Sequence, residues 1–339
     1  MPLLTIAIPS FNRNEILRQN LAVLLPQLAD DCRLLILDNH CEVPLETTLA
    51  PLLRQLKPGQ SQIVRHPVNI GGNANILRCF ELCETEWLWI LGDDDRTAPN
   101  AIATVLSAIR LHPTAGLLNF TYCGFQREGA FETRGLNDLV ARLDSFGMLN
   151  FTSCCVYRVP PLASHLRFGY QYGIYATAPH TATFLASMTP ETQVCFRTES
   201  IIDAIELAPE LWRLYGPMLG IITLLEIPLP PGVRQILHQK AFYHFEPLTL
   251  LLYLLSEFPD SPKGNEQVGY TYCQIVNRNY GFLPSARDRW VGWALLPLAR
   301  HPSLTRRLHA GWLTLKHRLR SPRAKTAAHP SMTDHSARL

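Results

Sequence analysis

Trp87-Leu88-Trp89-Ile90-Leu91-Gly92-Asp93-Asp94-Asp95 is the stretch on which the reading of this chain turns. Five apolar residues bounded by glycine are too short a run for a helix and suit a strand buried on both faces. The three carboxylates that follow repel one another unless a cation or solvent intervenes. Hard divalent cations take carboxylate oxygens and keep positions open for phosphate oxygens, so a metal here could bridge a nucleotide's phosphates. An exposed acidic turn, capping a helix that begins near Thr97, would use the same residues.

Working outward, the pattern of strand, polar end and helix recurs. Leu3 to Pro9 is a short apolar run, followed by Ser10-Phe11-Asn12-Arg13-Asn14 and an amphipathic stretch from Glu15 to Leu28. Arg33 to Leu37 ends at Asp38-Asn39, with helical spacing around Leu45 to Leu56. Ser61 to Arg65 leads to the turn Asn69-Ile70-Gly71-Gly72, and Asn73 to Cys83 is again helical in spacing. Pro99 sits early in the next helix, where its missing N–H costs least, and Gly116 to Tyr122 makes a fifth strand. Such alternation predicts an α/β fold with a mostly parallel sheet covered on both faces. Ligands of these sheets sit outside the carboxyl ends of the strands. Asn12-Arg13, Asp38-Asn39, Asn69 to Gly72 and Asp93 to Asp95 all fall at such ends and outline one site. Neither G-x-G-x-x-G nor G-x-x-x-x-G-K-[ST] occurs.

The second half is looser. Phe151 to Tyr157 reads as a strand, Tyr172 to Ser187 as a helix and Thr192 to Arg197 as a strand. From Pro209 the pattern is mostly helical, broken by Pro228-Leu229-Pro230-Pro231-Gly232. Arg300 to Lys325 holds eight Lys or Arg and no acid, with Leu304, Leu308, Trp312, Leu315 and Leu319 on one helical face. That segment suits an anionic membrane surface, or equally a helix packed on the core with its basic face in water. Disorder is expected after Ala324.

Bulk properties bound the function. With 47% hydrophobic and 17% charged residues, the 339-residue chain buries a real core, and a net charge of +3 excludes a nucleic-acid-binding polycation. Nine cysteines without framework spacing read as reduced thiols, which implies a reducing, cytoplasmic compartment. Met1-Pro2-Leu3-Leu4-Thr5-Ile6 lacks the marks of a signal peptide. The longest apolar runs, Met218 to Leu225 and Leu248 to Leu255, fall short of the ~20 residues that span a bilayer. The protein is expected in the cytoplasm, held peripherally at the inner face of the membrane if 300–325 binds lipid.

Taken together, four segments resemble the family-2 glycosyltransferases. Thr5-Ile6-Ala7-Ile8-Pro9-Ser10-Phe11-Asn12-Arg13 looks like their opening strand, and Leu35-Ile36-Leu37-Asp38-Asn39 like the second-strand motif whose Asp contacts the nucleoside. Asn69-Ile70-Gly71-Gly72-Asn73-Ala74-Asn75 matches the segment before the third helix, and Trp89 to Asp95 resembles the metal-binding D-x-D region. The four stand in the family's order over roughly residues 3 to 120. The resemblance implies a GT-A fold with a helical C-terminal extension, a nucleoside-diphosphate sugar donor (UDP- or dTDP-sugars foremost), a divalent Mn2+ or Mg2+ ion, and inversion at the anomeric carbon. It implies donor contacts from Pro9, Phe11, Asn12, Arg13, Asp38, Asn69, Gly72, Asn75, Asp93 and Asp94, and a metal held by Asp93, Asp94 and Asp95. Two registers are open: Asp93 and Asp95 form the pair, or Gly92 replaces its first Asp and Asp94 is the ligand. The Gly-Asp-Asp-Asp variant is most similar to transferases of bacterial surface-polysaccharide assembly, with a lipid-linked glycan or another cell-surface polysaccharide precursor as the expected acceptor. Residues 1–205 would form the transferase domain, 206–299 a helical extension shaping the acceptor side, and 300–339 the basic helix and tail.

Two departures matter. Between Arg158 and Ser187 there is no Asp or Glu to act as the family's general base, which leaves His180 as a candidate beside a structural role, with Glu191 and Glu199 farther on. The Q-x-x-R-W motif of processive synthases is missing, since Arg289-Trp290 is preceded by Ala286, so a single transfer is expected. The missing carboxylate also admits a non-catalytic protein that binds sugar nucleotides on the same fold. A nucleotidyltransferase would open with a Gly-rich basic loop where Ser10-Phe11-Asn12-Arg13-Asn14 stands.

Overall fold

The structure is a computed structural model that describes residues 2–143, 147–172, 179–205 and 226–237 without 235, with scattered positions between 286 and 315. Among the described residues nine strands form one sheet: β1 (Leu4–Ser10), β2 (Cys32–Asp38), β3 (Ser61–Arg65), β4 (Trp87–Ile90), β5 (Asp95–Thr97), β6 (Leu117–Tyr122), β7 (Phe131–Arg134), β8 (Cys155–Arg158) and β9 (Gln193–Ile205). Their spatial order is β3-β2-β1-β4-β8-β6-β9-β5, with β7 pairing β9. The first four run parallel, as the alternation with helices requires, because a parallel neighbour can be reached only by a crossover. β8 enters antiparallel between β4 and β6, and β5 and β7 run antiparallel to β9. The fold is the expected α/β architecture, parallel on the side that carries the site and mixed beyond it.

Nine α-helices are described: α1 (Asn14–Leu24), α2 (Leu45–Leu53), α3 (Gly72–Glu81), α4 (Ala101–Leu111), α5 (Gly135–Arg142), α6 (Gly147–Asn150), α7 (Pro160–Ala163), α8 (Leu166–Tyr172) and α9 (Pro179–Ser187). The strand period of two divides the core between the faces. Ile6, Ile8, Leu34, Ile36, Trp87 and Trp89 pack under α1, α2 and α4, through Leu17, Leu21, Leu49 and Val105. Ala7, Leu35, Leu37, Leu88 and Ile90 face α3, α5 and α9, through Phe80, Leu139 and Phe184. Ile227, Val233 and Leu237 join this second core, so that part of 206–299 packs on the sheet domain.

The weakly patterned elements differ from expectation. Within Phe151 to Tyr157, Thr152–Cys154 is a 3-10 turn and the strand begins at Cys155, since Ser153 and its carbonyl are drawn to β4. β9 runs to thirteen residues because β5, β6 and β7 all pair with it. β5 and β7 are short and polar, and no period announced them. Of the segment expected as a helix from Tyr172 to Ser187, Pro179–Ser187 is helical and 173–178 lies outside the described residues. Most of 206–299 and of the basic tail also lies outside them. Leu304, Leu308 and Leu315 are helical and exposed.

Candidate active site

Parallel register lines up the strand ends. Ser10 pairs Asp38, Asp38 pairs Arg65, and Ala7 pairs Ile90, so the residues that leave β1, β2, β3 and β4 emerge on one edge. The acidic run is shaped by a turn. Asp95 N–H bonds the Gly92 carbonyl at 3.2 Å, leaving Asp93 and Asp94 at its two central positions. Asp95 then enters β5 opposite Ile205. A Cβ on residue 92 would stand 2.6 Å from Asp95 Oδ2 and 3.1 Å from Asp94 Oδ1, so any side chain there would push the carboxylates from their places.

This turn separates the three carboxylates. Arg13 Nη1 donates to Asp93 Oδ1 at 2.9 Å and to Asp94 Oδ2 at 2.5 Å. Asp95 points inward, where it accepts from Ser153 Oγ at 2.5 Å; that hydroxyl accepts in turn from Gly92 N–H at 2.8 Å. Burial raises the Asp95 carboxyl to about 7, helped by the charges of Asp94 and Asp93 and opposed by the Ser153 hydrogen bond and Arg13. Burial also raises Asp93, opposed by Ser10 and Arg13. Burial works against the Arg13 charge, but the two carboxylates more than offset it and hold the guanidinium above its ordinary value. Ser10 Oγ faces this cluster, buried and without a hydrogen bond of good geometry. Two carboxylates already sharing one cation, beside an unsatisfied buried hydroxyl, are a donor set that fits a hard divalent ion.

The other expected contact residues divide in two. Phe11, Asn12, Asn69 and Gly72 are exposed on the same edge, and Pro9 is half-buried just before it. Asn12 adopts φ 54, a left-handed conformation that asparagine tolerates, and its Oδ1 accepts from Glu42 N–H at 2.9 Å. Asn69 Oδ1 accepts from Asn39 Nδ2 at 2.9 Å and from Gly71 N–H at 2.8 Å, shaping the turn before α3. Gly71 takes φ 84 there, and α3 directs its N-terminus at the edge. Asp38 and Asn75, by contrast, are buried and engaged. Asp38 accepts from Cys41 N–H at 2.7 Å, Leu45 N–H at 3.0 Å and Arg65 Nη1 at 2.6 Å. Burial raises its carboxyl, yet these donors win and hold it below the ordinary value. Asn75 accepts from His66 Nε2 at 2.8 Å and donates to the Leu37 carbonyl at 3.4 Å. The sequence shows both residues but not that backbone groups use their polar atoms. Arg65, Ser153 and Asn20, whose Nδ2 donates to the Asp93 carbonyl at 3.0 Å, were missed. They carry no motif and are found only through their partners.

The structure removes His180 from this edge. Its ring is fully buried in α9, donating Nε2–H to the Leu149 carbonyl at 3.1 Å, with Tyr157 edge-on and Nδ1 unpartnered. Burial lowers its pKa to about 4, against the backbone carbonyls that favour the charged ring. An imidazole so enclosed meets no acceptor hydroxyl. Glu191 is exposed in the turn before β9, and Glu199 is held by Arg197 at 2.6 Å.

Two other features lie at the opposite edge, by the start of β6 and β9. Among the described residues, the three-ligand group whose atoms lie within 4.8 Å of one another is His112, Glu132 and Cys195, rather than the acidic triplet. Arg197 Nη1 lies 3.3 Å from His112 Nε2, which must therefore accept, and Nδ1–H faces Glu132 Oε1 at 3.3 Å. This is a satisfied hydrogen-bond chain with a guanidinium where a metal would need a negative environment. A cavity of about 390 Å³ is lined by Gly135, Phe168, Leu185, Pro190, Ile227 and Val233 at the junction with 226–233, away from the acidic turn.

Residues 5–158 match the model of glycosyl transferase family 2. No curated protein matches the chain in sequence. Among solved structures, the 1–349 segment of S. aureus TarS is similar at 14% identity, over 92% of this chain and 91% of that one, with a TM-score of 0.60. The same segment in complex with UDP-GlcNAc matches at 13% identity, over 92% of each chain, with a TM-score of 0.60. Its complex with UDP matches at 15% identity, over 94% of this chain and 91% of that one, with a TM-score of 0.53. At these identities the likeness is one of fold. Over residues 5–158, a segment spanning every strand that shapes the acidic edge except β9, the chain is similar to glycosyl transferase family 2, and it carries a GT-A fold.

Proposed function

We propose that the protein transfers a single sugar from a nucleoside-diphosphate sugar to an acceptor hydroxyl, with inversion, during assembly of a bacterial cell-surface polysaccharide. The observation that carries this reading is the convergence on one strand edge of Asp93 and Asp94, Arg13, and the Asn69 to Gly72 turn at the N-terminus of α3. The similar TarS segment binds UDP-GlcNAc and UDP, which supports a UDP-sugar as the first donor to try.

Asp93 and Asp94 would hold a divalent Mn2+ or Mg2+, which when bound neutralises charge on the departing diphosphate. The arrangement supports the register in which Gly92 replaces the first Asp of D-x-D, with Asp95 holding the turn through Ser153 rather than reaching the metal. Arg13 supplies a positive charge beside the phosphates, and the start of α3 supplies the positive end of a helix. Asp38 and Asn75 set the shape of the nucleoside side by fixing the 38–45 and 66–75 loops. Among the described residues no helix is long and apolar enough to cross a membrane. The exposed Leu304, Leu308 and Leu315 support contact of the basic tail with an anionic membrane surface, where a lipid-linked acceptor would lie.

A thermal-shift screen of UDP-, dTDP-, GDP- and CDP-sugars, each with and without Mn2+ or Mg2+, tests the donor site. A binder raises the midpoint by mass action, and the rise should vanish in Asp94→Ala. No rise with any donor would sink the reading. The burial of His180 favours one alternative, a protein that binds sugar nucleotides without transferring them. Metal-dependent donor hydrolysis, lost in the Asp94 variant, would exclude it.

A further inference from the structure

Arg13 reaches across the fold to two carboxylates 80 and 81 residues away and serves both through one nitrogen. These are the carboxylates assigned above to the divalent ion, so a side-chain cation stands where the ion's ligands point. We propose that Arg13 is a built-in counter-cation of the acidic turn, which must leave before a divalent ion binds, so that the ion and the donor's diphosphate enter together. The inference rests on the reading of Asp93 and Asp94 as the metal ligands.

The charges explain why the two arrivals are coupled. Neighbouring carboxylates withdrawn from water disfavour each other's ionisation, and the guanidinium relieves that repulsion. An incoming dication must break a charge-assisted hydrogen bond at each carboxylate and meets the charge of Arg13 itself. A diphosphate reverses the balance, because its oxygens offer the planar guanidinium a new partner as the ion takes the old one. The geometry allows the exchange. Arg13 is one-third exposed and lies just before α1, so its side chain has solvent to swing into. The turn stays in place meanwhile, held by Asn20 on the Asp93 carbonyl and by Ser153 on Asp95.

The test is Mn2+ titration of the full chain, read from the electron paramagnetic resonance signal of the free ion, with no turnover involved. Wild type, Arg13→Gln, Arg13→Lys and Asp94→Asn are each measured alone and with UDP or GDP, against protein-free controls for ion bound by nucleotide. Far-UV circular dichroism and the urea midpoint establish that each variant is folded. Wild type should bind Mn2+ weakly alone and roughly tenfold more tightly with a nucleotide that fits. Arg13→Gln should bind Mn2+ alone about five- to tenfold more tightly than wild type, with a smaller gain from nucleotide. Arg13→Lys should stay with wild type, and Asp94→Asn should lose binding. If Arg13→Gln matches wild type without nucleotide while Asp94→Asn still loses the ion, the counter-cation role is overturned and the metal site stands. If no variant binds Mn2+ under any condition, the metal assignment falls and takes this inference with it.

Discussion

His180 makes the folded protein sensitive to acid, and the size of the effect follows from its burial. The ring is fully enclosed, and its pKa falls from an ordinary 6.5 to about 4. A base whose folded pKa is depressed stabilises the fold fully above its unfolded pKa. That contribution is lost as pH falls from 6.5 through 4, because the unfolded chain takes up the proton first. Across the whole window the loss amounts to about 3 kcal/mol, and between pH 7.5 and 5 to about 2 kcal/mol. Asp95 acts in the opposite direction. Its carboxyl is raised to about 7, so stability falls as pH rises from the ordinary carboxylate range to that value. The two slopes oppose each other, and the wild-type profile alone does not separate them. The assay is therefore urea unfolding at pH 5 and 7.5 of wild type and His180→Gln, compared as a difference. His180→Gln should be less stable at pH 7.5 and should close most of that gap at pH 5, since glutamine takes up no proton. A gap that stays constant with pH would refute the reasoning, as would a His180 pKa between 6 and 7 measured by NMR.

Further expectations follow from the same contacts. Ser153→Ala leaves buried Asp95 without its donor and should cost about 1–3 kcal/mol in urea unfolding at pH 8, with a smaller cost at pH 5 where the carboxyl is protonated. Gly92→Ala drives a methyl into Asp95 Oδ2, and should cost about 1–3 kcal/mol and weaken Mn2+ binding through displacement of Asp94. Asp38→Ala strands Arg65 and two backbone N–H groups and should cost about 3–5 kcal/mol, seen as a lower urea midpoint, whereas a cost near zero would show that the loop re-forms with water. Asp94→Asn should retain wild-type stability within about 1 kcal/mol, since that side chain is partly in water, while abolishing metal-dependent donor binding in the thermal-shift assay.

The sheet was legible where burial wrote a period into the sequence. β1, β2, β4 and β6 are mostly apolar runs of four to seven residues, β3 carries only Ile63 and Val64 between polar residues, and the helices show the spacing of one packed face. Such local patterns also fixed the four strand ends as one edge, because parallel connection leaves the polar residue at each carboxyl end on the same side. β5 and β7 escaped notice because three or four mostly polar residues carry no period; they are strands only because β9 is there to pair with them.

The candidate site divides along the same line. The sequence by itself determined the resemblance to family 2, the edge and the acidic run, since each is a matter of residue types in order along the chain. The tertiary structure alone decided which carboxylates face out. The 92–95 turn and the distant Ser153 draw Asp95 inward, and Arg13 comes from the other side to claim Asp93 and Asp94. It also placed His180 inside, where a side chain that reads as a base becomes a neutral core group. Ionisable residues are ambiguous in sequence for this reason: their chemistry is set by burial and by partners many residues away, and neither is written in local pattern.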